Sequence, residues 1–375
     1  MKKVKTKLIA MYLPQYHSIP ENDAFWGNGF TDWVTVRKAK AIYKGHVQPK
    51  VPLNDNYYDL SLKENVIWQA DLASKYGISV FGVYHYWFNN EKNLLTKPAE
   101  IMRDCSNLKV KYFYVWDNAS WKRSWSNVTG NDWAPIEDQG FVKQGESPVL
   151  IPYILGEEPD WRNHYNYVLQ HFKSDNYLLI DNKPVFSIIR NDEKILEMCE
   201  KWNEWAKEDG YDGVFFIFQN KDNTLNDQYR YNYEPHHAAW SYKAPMPYRI
   251  KKLAYRLFWY HKRMYYDYDM TWKQIIRLAE KSTDSKLFYG AFVTYDDSPR
   301  RGSEKGKVLR GASPVKLKKY LKKILDISAS QNKEYVFLTA WNEWGEGAYL
   351  EPDVESKFQY LEAIKSCMEE FGYEL

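Results

Sequence analysis

Cysteine is scarce in this chain. Three residues, Cys105, Cys199 and Cys367, stand far apart with no CxxC pair, so neither a zinc ribbon nor a disulfide framework is indicated. Reduced, partly buried thiols in a cytoplasmic protein are the reading they support. An excess of one charge is also missing. Lys plus Arg number 52 against 49 Asp plus Glu, a net charge of +3, which supplies no basic field for nucleic acid. No apolar run reaches the length of a membrane span. The basic start, Met1 to Lys7, leads into Leu8–Pro14, too short for the apolar core of a signal peptide. There is no GxGxxG and no GxxxxGK(S/T), so nucleotide-phosphate cradles of those types are absent. No fixed-period repeat appears. His17, His46 and His85 show no ligand spacing such as HxxxH, so no metal or other cofactor is expected.

What the chain has in abundance is aromatic side chains, 17% of its 375 residues, with 32 Tyr and 16 Trp. A core does not require so many amphipathic rings. A concave carbohydrate site uses them well, because each offers a flat apolar face and a polar edge.

Apolar strand runs alternate with helical periods along the chain. Strands are expected at Leu8–Leu13, Val80–Trp87, Lys111–Trp116, Pro184–Ile189, Val214–Phe218, Phe288–Thr294 and Tyr335–Ala340. A further strand belongs between Asn220 and Tyr248, with Ala238–Trp240 a weak candidate. Ser61 to Glu64 reads as a capping box opening a helix that Gly77 stops. Helices also fit Trp161–Phe172, the run bearing Ile195, Met198, Trp202 and Trp205, and the two flanking the last strand. Such strand–helix units without a dinucleotide turn predict a (β/α)8 TIM-like barrel with long loops at its C-terminal face. The expectation is one barrel domain over 1–375, with loop insertions near 14–58, 117–160 and 220–270.

Chemistry-bearing residues collect at the strand ends. The first strand ends in Tyr12, Tyr16 and His17, the second in His85, Tyr86 and Trp87. The third ends in Trp116, Asp117, Asn118 and Trp121, the seventh in Tyr295 and Asp296, the last in Trp341, Asn342, Glu343 and Trp344. C-terminal strand ends form the active-site face of such a barrel. Tyr12, Trp87, Trp121, Trp341 and Trp344 are candidate sugar platforms. His85 also fits a hydrogen-bonded structural histidine, and His236 and His237 read as loop polar groups. The segment Trp341 to Glu351 is the richest: Glu343 and Glu346 stand three apart among aromatics and glycines. Two such carboxyls suit glycosidic chemistry, one donating a proton to the leaving oxygen while the other serves as base or nucleophile.

Five stretches carry a family resemblance: Tyr12 to His17, Gly29 to Trp33, Lys44 to Pro49, Tyr84 to Phe88 and Ala340 to Pro352. They resemble the WbsX-like proteins of bacterial O-antigen and capsule gene clusters, from about residue 6 to the C-terminus. That family is similar to the endo-α-mannosidase family of retaining glycoside hydrolases, which are (β/α)8 barrels. The resemblance implies that Glu343 acts as base on the sugar 2-hydroxyl, giving a 1,2-anhydro intermediate. Glu346 then protonates the leaving oxygen and later activates water, for which it needs a raised pKa. It also places Trp33 in the substrate site. Where the family usually reads Trp-Ala-Asn-Glu-Asn-Trp, this chain has Trp116 to Trp121 with Ala119 in the glutamate's place. Either the subsite differs or Asp117 substitutes.

Three functions remain open from sequence. One is a retaining enzyme cleaving or transferring within an oligosaccharide or polysaccharide, free or lipid-linked. Another is a nucleotide-sugar-dependent glycosyltransferase. The last is a non-catalytic glycan-binding barrel. The basic, aromatic segment 249–266 places Lys252, Arg256 and Arg263 on one helical face and Leu253, Leu257, Tyr260 and Met264 on another. It fits an ordinary barrel helix. It also fits peripheral contact with the inner membrane face by a cytoplasmic protein.

Overall fold

The computed structural model describes residues 5–122, 149–221, 227–241, 244–258 and 264–373, with backbone alone at 251–252, 255–258, 264–265 and 303–305. Eight parallel strands close into a barrel: β1 (Lys7–Tyr12), β2 (Ile78–Asn89), β3 (Lys111–Trp116), β4 (Lys183–Ile188), β5 (Phe215–Gln219), β6 (Tyr229–Tyr231), β7 (Leu287–Phe292) and β8 (Tyr335–Thr339). Each pairs with the next in sequence, and β8 returns to β1 through Ile9 opposite Phe337. The outer helices are α1 (Lys63–Lys75), α2 (Lys97–Asp104), α3 (Glu158–Phe172), α4 (Glu193–Glu208), α5 (Tyr268–Lys281), α6 (Pro314–Ser330) and α7 (Gln359–Glu370). Among the described residues no helix separates β5 from β6. The expected barrel is thus the observed one.

Side chains of a strand alternate between the barrel interior and the helix layer. Inside, Phe337 stacks on Tyr231 with ring centroids 4.4 Å apart and meets Phe113 edge-on. Gly82 leaves room there for Met11, Phe113 and Val115. Outside, α4 buries Ile195, Met198, Trp202 and Trp205, and α6 buries Leu317, Leu321, Ile324 and Ser328, as their spacing predicts. Cys105, Cys199 and Cys367 are all buried and unpaired.

Two local expectations give way. The sixth strand is Tyr229–Tyr231, while His236–Trp240 forms a single π-helical turn. The strand is three residues long, and its central Arg230 turns outward to an ion pair with Asp284, so it offers no apolar run to detect. The capping box at Ser61 does not form either. Helix α1 begins at Lys63 after an uncapped Leu62, and the Ser61 backbone N–H donates to Asp59 Oδ1 at 2.7 Å.

The segment from β1 to α1 carries two helices, Pro20–Trp26 and Asp32–Lys38. Beyond β3, Trp121–Lys122 pairs with Val149–Ile151. Beyond β6 comes a helix at Met246–Phe258, and Met264–Asp267 pairs with Lys307–Arg310.

Candidate active site

A cavity of about 480 Å³ opens at the C-terminal mouth of the barrel. Every strand contributes to its wall. Tyr84 and Tyr86 lie in β2, while Leu13 follows β1, Asp117 β3, Arg190 β4, Asn220 β5, Tyr233 β6, Arg300 β7, and Glu343 with Glu346 β8. The two glutamates therefore face one space.

Arg300 organises them. It lies in the first turn of the short helix Ser298–Lys305 and is 5% exposed. One Nη reaches Glu346 Oε1 at 2.9 Å; the other reaches Glu343 Oε2 and Asp32 Oδ2, each at 3.1 Å. Asp32, the first residue of Asp32–Lys38, also accepts from the Gly345 backbone N–H at 3.1 Å. A β-carbon on Gly345 would stand 2.5 Å from Arg300 Nε and 2.6 Å from Asp32 Oδ2, so only glycine admits this approach. Three ionised carboxyls around one guanidinium would leave an uncompensated buried negative charge, which is costly. The cluster meets this by holding a proton. Burial above all pushes the Glu343 carboxyl up to about 8, with Glu346 and Asp32 adding repulsion and Arg300 opposing. Burial thus raises Glu343, the carboxyl that sequence reasoning assigned the role of base.

The aromatics around the motif form a floor beneath this site. Trp344 stacks on Tyr349 with centroids 3.8 Å apart and packs on Trp33 at 5.3 Å. Its Nε1 donates to Glu351 Oε2 at 2.7 Å, and the same carboxyl accepts from Tyr58 and Gln69, each at 2.7 Å. Burial pushes Glu351 up to about 7. The Tyr16 hydroxyl donates to the Asn342 carbonyl at 2.5 Å and accepts from the Trp344 N–H at 3.2 Å. Asn342 clamps the end of β1, its side-chain amide bonding both Leu13 N and Leu13 O. Tyr12 points outward and donates to Gln69 at 2.6 Å. Trp341 packs on Phe81 at 5.4 Å.

A second cavity of about 550 Å³ adjoins the first, sharing Tyr86, Asp117 and Arg190. Trp121, Asn118, Ala119 and Lys122 line it with Trp26 and Tyr153. Asp117 is raised by burial, against the pull of Arg190 and Lys221.

Of the sequence candidates, Glu343, Glu346, Tyr86 and Asp117 line the inner cavity, and Asn118 and Trp121 the outer one. Tyr12, Tyr16, Trp33, Trp341, Asn342 and Trp344 line neither. They are buried supports, and the sugar-platform expectation is corrected for Tyr12, Trp341 and Trp344. His85, Trp87 and Trp116 point into the helix layer. His85 Nε2 lies 2.9 Å from His164 Nε2, Trp87 stacks on His164 at 4.5 Å, and Trp116 Nε1 donates to the Trp87 carbonyl. Strand parity is the reason: even positions of β2 face the mouth, so Tyr84 and Tyr86 do, and His85 and Trp87 cannot. Tyr295 and Asp296 line a separate cavity of about 530 Å³, where His46 and Gln48 each bond Asp296 at 2.6 Å.

Sequence reasoning missed Asp32, Tyr84, Arg190, Tyr233 and Arg300. His236 and His237, read as loop groups, also line the inner cavity. Asp32 and Tyr84 lay inside the quoted motifs, and Arg300 four residues beyond Asp296.

Barrel and site together define the class: a (β/α)8 protein with a pair of glutamates at the barrel mouth. The profile of the family described as Glycosyltransferase WbsX matches residues 8–364, and the chain belongs to that family. It is 27% identical over 96% of its length to the uncharacterized protein WxcX of Xanthomonas campestris pv. campestris strain ATCC 33913, and 28% identical to that of strain B100. It spans about half of those relatives, 49% of each. Among solved structures it is similar to the GH99 endo-alpha-mannosidase from Bacteroides thetaiotaomicron, with TM-score 0.57, 15% identity and 97% of each chain covered. A glycoside hydrolase-like protein gives TM-score 0.56 at 12% identity, covering 98% of this chain and 95% of the other. These likenesses show the fold.

Proposed function

We propose that this chain is a single barrel domain that cleaves or transfers a glycosidic bond with retention, acting on a surface polysaccharide or its lipid-linked precursor. The observation carrying it is that Glu343 and Glu346 face one cavity and share Arg300. In the resting site Glu343 holds a proton. In the anhydro scheme implied by the family resemblance, Glu343 removes the proton of the sugar 2-hydroxyl and Glu346 protonates the leaving oxygen. Passing the resting proton from Glu343 to Glu346 as substrate enters prepares both groups at once. The enzyme then needs neither metal nor nucleotide for its chemistry.

The family's name favours the alternative, a transferase using a sugar nucleotide. Product analysis on defined polysaccharides and lipid-linked oligosaccharides, with and without sugar nucleotides, separates the two. Turnover without a nucleotide, lost ~10²–10⁴-fold in Glu343→Gln and in Glu346→Gln, is expected. Turnover that requires a sugar nucleotide, or that survives Glu343→Gln, sinks this reading.

The helix Met246–Phe258 leaves Met246, Ile250 and Leu253 exposed, 62%, 61% and 55%, on one side. This supports peripheral contact with a membrane surface, and with it a cytoplasmic place at the inner face. Leu253 is exposed as that reading requires. The other side chains named for the two faces, on Lys252, Arg256, Leu257, Tyr260, Arg263 and Met264, lie outside those described. Among the described residues no helix is long and apolar enough to cross a membrane.

A further inference from the structure

The seam between the two cavities is formed by Tyr86, Asp117 and Arg190. Arg190 is mounted there with care. The buried side chain of Asn118 bonds its backbone in both directions: Arg190 N–H donates to Asn118 Oδ1 at 2.9 Å, and Asn118 Nδ2 donates to the Arg190 carbonyl at 2.8 Å. The end of β4 is thereby fastened to the end of β3. Its guanidinium, by contrast, has no ion pair or hydrogen bond among the described residues. Arg300, the other arginine of the inner cavity, has its charge taken up by Asp32, Glu343 and Glu346. Lys122 adds a further cation to the outer cavity and Lys221 to the inner one. The outer cavity's acidic side chains are Asp117 and Asp192, and Asp192 is committed to capping α4 through Ile195 N. At position 119 stands an alanine, which brings no charge. Trp121 supplies a ring, held edge-on against Tyr86 at 5.4 Å.

We infer that the outer cavity is a subsite for a glycan unit bearing a negative charge, a carboxylate or a phosphate, received by the Arg190 guanidinium while the ring packs near Trp121. A planar fork whose donors meet no partner among the described residues suits either oxyanion. Asn118 acts as the positioning residue that fixes the fork. This rests on the glycan-active reading and adds to it the class of glycan.

The test reads binding rather than turnover. The full chain carrying Glu343→Gln is presented with bacterial polysaccharide fragments in three forms: native, carboxyl-reduced, and stripped of phosphate. An anionic fragment held ~10–100-fold more tightly than its neutralised form is expected for one charge-assisted interaction, and the two treatments tell uronate from phosphate. Adding Arg190→Gln abolishes the difference without lowering the melting temperature, since its side chain makes no hydrogen bond or ion pair among the described residues. Arg190→Lys keeps part of it. Equal binding of native and neutralised fragments, a preference that survives Arg190→Gln, or no anionic fragment retained at all overturns the inference. Because Glu343 is already disabled, failure of the glutamate mechanism leaves this outcome unaffected.

Discussion

Replacing Glu343 by Gln should stabilise the protein at alkaline pH while destroying its activity. The folded state holds the Glu343 carboxyl at about 8 against an ordinary value of 4.5. Between those limits the folded protein keeps a proton that the unfolded chain has released. Stability from this group is therefore full below about 4.5 and is lost as pH rises to about 8. At ~1.4 kcal/mol per pH unit, the whole window amounts to ~5 kcal/mol, and relaxation around the charged group brings a realistic figure to ~2–5 kcal/mol. Gln cannot ionise and has no such loss, and its amide oxygen still accepts from Arg300, which keeps Asp32 and Glu346 as counterions. Urea unfolding at pH 5, 6, 7 and 8, followed by tryptophan fluorescence, reads the difference. The advantage of the variant over wild type should grow steadily with pH. A difference that stays flat from pH 5 to 8, or that turns against the variant as pH rises, refutes the proton inventory assigned to Arg300, Asp32 and the glutamate pair.

Three further outcomes are expected. Glu351→Ala strands the donors of Trp344, Tyr58 and Gln69; at ~1–3 kcal/mol for each unsatisfied buried group, a loss of ~3 kcal/mol or more should appear in thermal melts, and a loss under 1 kcal/mol contradicts the network. His171 and His236, both lowered to about 3 chiefly by burial, refuse protons that the unfolded chain accepts below 6.5, so stability should fall as pH drops from 6.5 toward 3 by ~1.4 kcal/mol per unit for each. His171→Gln should shallow that slope in acid titrations, and an unchanged slope would show that His171 takes no part. Co-sedimentation with anionic vesicles should retain the protein at low salt and release it at high salt, with Ile250→Asp plus Leu253→Asp abolishing retention; absence of binding at low salt removes the membrane contact.

The barrel was legible because its signals are local and repeated. Buried parallel strands read as short apolar runs, and seven of the eight stand where such runs fall. The one misplaced strand, Tyr229–Tyr231, has three residues and a buried arginine that answers Asp284, so its identity lies in pairing to β5 and β7. Periodicity carries no trace of that. The site was legible at coarser grain. Clusters at strand ends were assembled by adjacency, whereas a strand offers its mouth only every second residue. Hence Tyr86 and Asp117 reach the cavity while His85, Trp87 and Trp116, one position away, lie in the helix layer. Applying parity from Tyr86 would have selected Tyr84 as well.

Arg300 needed a different kind of reasoning. Nothing in Asp297 to Arg301 marks it by pattern, and its partners lie 43, 46 and 268 residues away. Charge balance does point to it. Asp32, Glu343 and Glu346 all sit in aromatic, apolar motifs, and carboxyls drawn together out of water require either a cation or protons. Neither motif contains a cation beside its carboxyl, so a third strand end must provide one. Of the arginines near strand ends, Arg190 is exposed at the mouth and Arg300 is 5% exposed. Only the deep one neutralises the cluster; the shallow one has no ion pair among the described residues, and Asp117 is the carboxyl that feels its charge. The two arginines thus divide the work by depth: one holds the glutamates in register, and the other is left facing whatever the cavity receives.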